Sequence, residues 1–246
     1  MAIFTIGDLH LSFNDDKPMS VFGENWEGYE DKIKKDWIEK VKENDLVVIP
    51  GDFSWSMYLE NTYLDFSYIN KLPGKKLLLK GNHDYWWTTV TSMKKFLAEN
   101  EFKNIDFIYN TAYEYENAII AGTRGWSKTE DGEDKKLLKR EALRLELSIQ
   151  KAIELRNKTE NTEENIKKEI IVFMHYPPIT NSNLKNNETN EFIQIMKKYD
   201  IKRCYYGHLH SVSIKEAIEG EHFGINFKLV SADGLDFKLL KIEEGI

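Results

Sequence analysis

The sequence has a single cysteine, Cys204, only five prolines in 246 residues, and no surplus of positive charge. One thiol cannot close an internal disulfide, so this is not a cysteine-stapled scaffold, and nothing directs it to an oxidising compartment. Fourteen glycines and five prolines are too few for a collagen-like chain. No apolar run approaches the roughly 20 residues that span a bilayer. The first eleven residues carry Asp8 and no basic cluster, so they do not read as a signal peptide, and the expected address is the cytoplasm. A formal net charge of −7 disfavours broad contact with nucleic acid or anionic lipid. It leaves a small phosphorylated substrate open, because bound metal ions reverse the local sign. What is present is a globular composition, 41% hydrophobic and 13% aromatic with 30% charged, enough apolar surface for a core and too much for a disordered chain. The length is read as one domain spanning 1–246.

The clearest pattern is a short apolar run that ends in a polar signature. Residues 2–6 lead into Gly7-Asp8-Leu9-His10, 46–49 into Pro50-Gly51-Asp52, and 77–79 into Gly81-Asn82-His83-Asp84. Residues 170–174 lead into His175-Tyr176-Pro177-Pro178, and 204–206 into Gly207-His208-Leu209-His210. Such runs bounded by glycine or proline read as buried strands. Tyr29, Ile33, Trp37 and Val41 recur every four residues and predict a helix; further helices are expected over 57–70 and 90–100. Alternation of strand and helix argues for an α/β class. Beyond residue 105 the helices thin out, with strands expected at 105–109, 118–121, 223–230 and 237–242, so two packed sheets with helices outside are predicted. The stretch 127–169 contains a long amphipathic helix at about 134–156, with Leu138, Ala142, Leu145, Ile149 and Ile153 on one face, followed by a polar connection over 157–168.

Histidine placement carries the chemistry. Five of the six histidines, His10, His83, His175, His208 and His210, follow predicted strands, and only His222 lies outside every motif, as a surface residue. In an open α/β sheet the carboxyl ends of the strands converge on one crevice, so separate segments can deliver side chains to one point. Imidazoles and carboxylates without thiolate suit hard or borderline divalent ions such as manganese, iron or zinc. The set Asp8, His10, Asp52, Asn82, His175, His208 and His210 is too large for one ion and fits two ions bridged by a carboxylate. Such a pair shares a hydroxide whose pKa it depresses and clamps the oxygens of a phosphoryl group.

The ordered set Asp8-x-His10, Gly51-Asp52, Gly81-Asn82-His83-Asp84, His175 and Gly207-His208-x-His210 resembles the calcineurin-like metallophosphoesterase superfamily, over about residues 3–242. The resemblance implies a four-layer fold, a two-sheet β-sandwich flanked by helices. It implies that Asp8, His10 and His210 hold one divalent metal, that Asn82, His175 and His208 hold the other, and that Asp52 bridges them. Asn82 would also touch substrate. His83 would contact a phosphoryl oxygen or protonate the leaving group, with Asp84 orienting it. Many relatives carry a second Asp three residues after the Gly-Asp, often followed by Arg; here Trp55 and Ser56 stand there, which disfavours the protein serine/threonine phosphatase branch and is similar to a bacterial group of phosphohydrolases. The expected function is a dimetal-dependent phosphoesterase acting by attack of a metal-bridging hydroxide. The alternative is a non-catalytic metal-binding scaffold of the same fold that works through protein contacts. Monoester against diester preference and oligomeric state stay open.

Other residues are candidates for the pocket. Arg124, just past the strand at 118–121, can grip a phosphate bidentately or serve a structural salt bridge. Trp55, Trp86, Trp87 and Trp126 follow motif strands and can either wall a pocket or pack helices on a sheet. The segment 12–28, beside a metal ligand and carrying Phe13, Phe22 and Trp26, is a lid candidate. Cys204 reads as a small buried hydrophobe.

Overall fold

The computed structural model describes residues 1–14, 17–126, 132–160 and 168–243. The short apolar runs assemble into two sheets. In the first, β1 (Ile3–Thr5), β2 (Leu46–Pro50), β3 (Lys75–Leu79) and β4 (Ile105–Phe107) are parallel neighbours. The second contains β5 (Ala112–Tyr115), β6 (Ala118–Thr123), β7 (Glu169–Met174), β8 (Arg203–Tyr206), β9 (Gly220–His222) and β10 (Ile225–Leu229), in the order β5-β6-β7-β8-β10-β9, parallel except at its two edges. The last strand, β11 (Leu240–Ile242), returns to the first sheet antiparallel to β1.

Period-two burial sets the layers. In β2, Leu46 and Val48 face the second sheet, while Val47 and Ile49 face α1 (Tyr29–Lys40), α2 (Tyr63–Asn70) and α3 (Val90–Glu99). In β6, Ala118 and Ile120 face the first sheet, while Ile119 and Ala121 meet α4 (Gly132–Glu160); past the short α5 (Asn181–Asn186), α6 (Glu191–Lys198) packs on that same outer face. Successive strand residues point to opposite faces, so strands apolar on both faces must be sandwiched. The result is the expected two-sheet sandwich between helical layers. No helix of the described residues is long and apolar enough to cross a membrane.

Several boundaries differ from expectation. Residues 57–70 form a 3-10 turn at Leu59–Thr62 before α2, rather than one helix. Residues 223–230 are not one strand: Phe223 and Gly224 have φ of 55° and 79° and make the turn between β9 and β10. At 237–242 only Leu240–Ile242 is paired. The long helix runs past 134–156 at both ends, so the polar connection is shorter than expected; residues 161–167 of it, like 127–131, lie outside the described residues. Its inner face is also less purely apolar than the stripe implied, because Glu141 and Ser148 are buried there. Ser148 donates to the Thr111 carbonyl at 2.6 Å and accepts from the Gly122 N–H at 2.9 Å, so the helix is tied to the sheet by polar contacts.

The seam that places the site lies at the carboxyl ends of β1 and β10. Gly7 N–H donates to Val230 O at 2.6 Å and Ala232 N–H donates to Gly7 O at 3.0 Å. Those two bonds join the sheets where the first motif begins.

Candidate metal centre

Backbone pairing beyond the strands holds the motif loops side by side. Asp8 N–H donates to Gly51 O at 3.0 Å, and His10 N–H donates to Asp52 O at 2.9 Å. Asp8, His10, Asp52 and His208 all have φ between 45° and 75°. A side chain in that region costs roughly 1–3 kcal/mol, tolerated where the surroundings over-determine it and where the strain serves a site. Two glycines make the close approach available. A Cβ at Gly207 would sit 2.3 Å from Asp8 Oδ2, and one at Gly81 would sit 2.1 Å from Asp52 Oδ1.

The structure brings the seven side chains together. His10 Nε2 and His210 Nε2 lie 3.2 Å apart, and His210 Nε2 is 3.3 Å from Asp8 Oδ1. His175 Nε2 is 2.6 Å from Asn82 Oδ1, and His208 Nδ1 is 2.9 Å from that same oxygen and 3.3 Å from His175 Nε2. Asp52 Oδ2 stands between the groups, 3.6 Å from His10 Nε2 and 3.4 Å from His175 Nε2. Asp8 with His10 and His210, and Asp8 with Asp52 and His175, form groups compact enough to hold a metal ion.

The electrostatics fit a cation. Burial depresses His175 to about 3 and His208 to about 4, and lowers His10 strongly, so these imidazoles are neutral and carry lone pairs, the state a metal ligand requires. Burial also opposes ionisation of Asp8, but the neighbouring His210, His175 and His10 hold its carboxyl well below the usual range. Burial, Asp84 and Asp8 push Asp52 upward. Of these four histidines only His210 moves up, to about 10, because Asp8 and Asp233 outweigh its burial. Acceptors that converge within about 3 Å, His175 Nε2 and His208 Nδ1 with Asn82 Oδ1, beside a histidine held protonated among carboxylates, describe a place that calls for positive charge. Carboxylate, imidazole and amide donors without thiolate match manganese, iron or zinc.

Asp84 does something other than orient His83. Its oxygens accept from the N–H groups of Asp52 at 2.9 Å, Phe53 at 2.9 Å, Ser54 at 3.3 Å and Gly81 at 2.7 Å, and from Trp86 Nε1 at 3.0 Å. It is fully buried and ties two motif loops together. Burial still pushes it up to about 6 against those bonds. His83 is fixed from its backbone, whose N–H donates to Asp52 Oδ1 at 2.7 Å. Its ring packs on Trp55 with centroids 4.4 Å apart, and its Nδ1 is buried with no hydrogen-bond partner among the described residues. Trp55 also stacks on His10 at 4.8 Å and 26°. The aromatic ring at the position where many relatives carry aspartate therefore braces two histidines.

The other candidates separate. Trp86 is a buried packing residue, while Trp87, also buried, lines a cavity together with Arg124. Arg124 turns to Glu141, 3.8 Å away, and stacks on Trp126 at 4.8 Å, while its carbonyl accepts the N–H of His175 at 3.2 Å. In the segment 12–28, Met19 and Trp26 are buried, and Trp26 packs edge-on to His10 at 6.3 Å, so this part is pinned to the site rather than a free lid; residues 15–16 lie outside the described residues. Cys204 is buried, and His222 is partly exposed with its ring beside Glu219 O.

Sequence reasoning missed Asp233 and Tyr29. Asp233 Oδ1 accepts from His210 Nδ1 at 3.0 Å, and its other oxygen accepts from Ser211 N–H at 2.8 Å. The signal was present: Asp233-Gly234 comes after β10 just as the other motifs come after their strands. Tyr29 Oη donates to His10 O at 2.9 Å from the start of α1, a contact no local pattern announces. A carboxylate behind a ligating histidine fixes its tautomer and raises its basicity. Asp233→Ala is expected to weaken manganese binding by roughly 10–100-fold, read by titration with elemental analysis, and to leave a second equivalent less affected. Unchanged affinity would remove Asp233 from that role.

No curated protein sequence matches the chain. Among solved structures, the protein of unknown function AQ665 from Aquifex aeolicus is 18% identical with a TM-score of 0.50, covering 98% of this chain and 95% of that one. The protein TT1561 of Thermus thermophilus is 11% identical with a TM-score of 0.55, covering 97% and 96%. A phosphopantetheinyl hydrolase from Mycobacterium tuberculosis is 12% identical with a TM-score of 0.46, covering 94% and 88%. The family model for calcineurin-like phosphoesterases matches residues 1–212, from the first strand through the His208-x-His210 motif. The chain belongs to the calcineurin-like phosphoesterase family.

Proposed function

We propose that the protein is a dimetal-dependent phosphoesterase of a small phosphorylated substrate. Asp8, His10 and His210 would hold one divalent ion, Asn82, His175 and His208 the other, and Asp52 would bridge them. The observation that carries this reading is the single oxygen Asp52 Oδ2, which faces a histidine of each group, at 3.6 Å and 3.4 Å. When bound, the ions supply Lewis acidity toward phosphoryl oxygens and lower the pKa of water.

The chain's own residues do the rest. Asp84 holds the 52–54 and 81 backbones in register, so that Asp52 and Asn82 arrive together. Trp55 packs on both the His10 ring at 4.8 Å and the His83 ring at 4.4 Å, bracing the two against each other at 5.6 Å. His83, off the ligand set but against it, would present a ring N–H to a phosphoryl oxygen or to the leaving oxygen.

The test is chelation followed by reconstitution. Metal-stripped protein is expected to lose hydrolysis of an aryl phosphate ester, and Mn²⁺ to restore it as occupancy approaches two ions per chain by elemental analysis. Activity that survives complete stripping, or that saturates with one ion, would overturn the dimetal reading.

A further inference from the structure

A cationic cavity of about 210 Å³ lies between the end of β3, the end of β6 and α4. Its walls include Lys80, Arg124, Arg140 and Arg144, with the polar side chains of Thr88 and Asn110. One carboxylate serves three of these four cations. Glu141, 1% exposed, lies 2.6 Å from Arg144, 3.5 Å from Arg140 and 3.8 Å from Arg124, and accepts from Thr123 Oγ1 at 2.9 Å. Lys80 has no hydrogen bond or salt bridge among the described residues, although it is partly buried. Four cations around one carboxylate leave an excess of positive charge that an anion would relieve.

The size and chemistry narrow the occupant. The cavity is smaller than the roughly 300–1,000 Å³ that takes a whole drug-sized molecule, so it suits one anionic group. Guanidinium forks match the oxygens of a phosphate bidentately. A chain of ring contacts links the cavity to the ligand set: Arg124 stacks on Trp126, Trp126 packs on Tyr176 at 5.5 Å, and Tyr176 packs on the metal-ligand candidate His208 at 4.3 Å. Lys80 stands two residues before Asn82, and the Arg124 carbonyl carries the N–H of His175. A group seated here therefore lies beside backbone that carries two ligand candidates, Asn82 and His175.

We propose that this cavity receives a second phosphate group of the substrate, so that the enzyme acts on molecules bearing two phosphates, one cleaved at the metal centre and one held by Lys80, Arg124, Arg140 and Arg144. The proposal rests on the reading of the metal centre as the hydrolytic site. No bond changes in the cavity; it supplies binding and orientation only.

The test compares two esters with the same reacting phosphate, one bearing an additional phosphate on the leaving group, in the full-length metal-loaded protein. Wild type is expected to prefer the bisphosphate. Arg140→Gln spares Glu141, which keeps Arg144 and Thr123, and Lys80→Met removes a cation that has no ion pair among the described residues. Each is expected to lower the bisphosphate-to-monophosphate ratio of kcat/KM by about ten-fold, mainly through KM. No preference in wild type, or equal losses on both esters, would overturn the proposal and make these cations supports of α4. If wild type hydrolysed neither ester, the metal-centre reading would fail separately. Calorimetric titration with inorganic phosphate would then decide the cavity alone: a binding event lost in the Lys80→Met, Arg140→Gln double variant supports it, and identical titrations of wild type and variant refute it.

Discussion

Asp52→Asn is expected to lower the affinity of both metal positions at once, and by more than the roughly 10–100-fold that loss of an outer hydrogen-bonding partner costs. The physical reason is that one oxygen faces both groups of donors, so removing its charge weakens two ions rather than one. The variant should stay folded. The Asn carbonyl oxygen can still accept the His83 N–H that Asp52 Oδ1 accepts at 2.7 Å, and the side-chain volume is unchanged. Elemental analysis at limiting manganese, with a thermal melt of the same sample as control, reads the outcome. Loss of a single ion with the other at full occupancy would take Asp52 out of the bridging position and assign it to one group.

His83→Ala is expected to keep both ions and to lower kcat by roughly 10²–10⁴-fold. His83 contributes its ring to the rim and only its backbone to a ligand, so truncation leaves Asp52 held as before. A series of esters separates its two potential uses. If the ring protonates the leaving oxygen, the loss shrinks as the leaving group becomes more acidic. If it donates to a non-bridging phosphoryl oxygen, the loss is the same across the series. A variant with wild-type turnover on every ester would return His83 to packing against Trp55, and a variant that loses a metal would make it a ligand.

Much of the architecture was legible because burial has a period. Leu46 to Ile49 and Ala118 to Ala121 are apolar at every position, which only a strand covered on both faces tolerates, and β2 and β6 are such strands. The α1 stripe of Tyr29, Ile33 and Trp37 is buried as the four-residue spacing implied. The second helix was less legible. Its first turn, Leu59–Thr62, is wound as a 3-10 segment whose side chains give the same apolar pattern over so short a span. The hairpin of β9 and β10 was hidden because its turn, Phe223-Gly224, contains an apolar residue that reads as strand.

For the site, the set of side chains able to meet was legible from the chain alone. Asp8, His10, Asp52, Asn82, His175, His208 and His210 each come just after a strand, and parallel strands deliver the loops at their carboxyl ends to one edge. Which partner each takes depended on the seam between the sheets, where contacts join residues 200 or more positions apart, as between His208 N–H and Asp8. Asp84, adjacent to His83 in the chain, turns inward to four backbone N–H groups and an indole, because a buried carboxylate is held by the donors that surround it, not by its sequence neighbour. Arg124 turned toward Glu141 for the same reason: only the packing of α4 on β6 brings that carboxylate within reach. Periodicity records which face of an element is buried. It carries no record of which polar group lies across the gap, and that was decided when the two sheets closed.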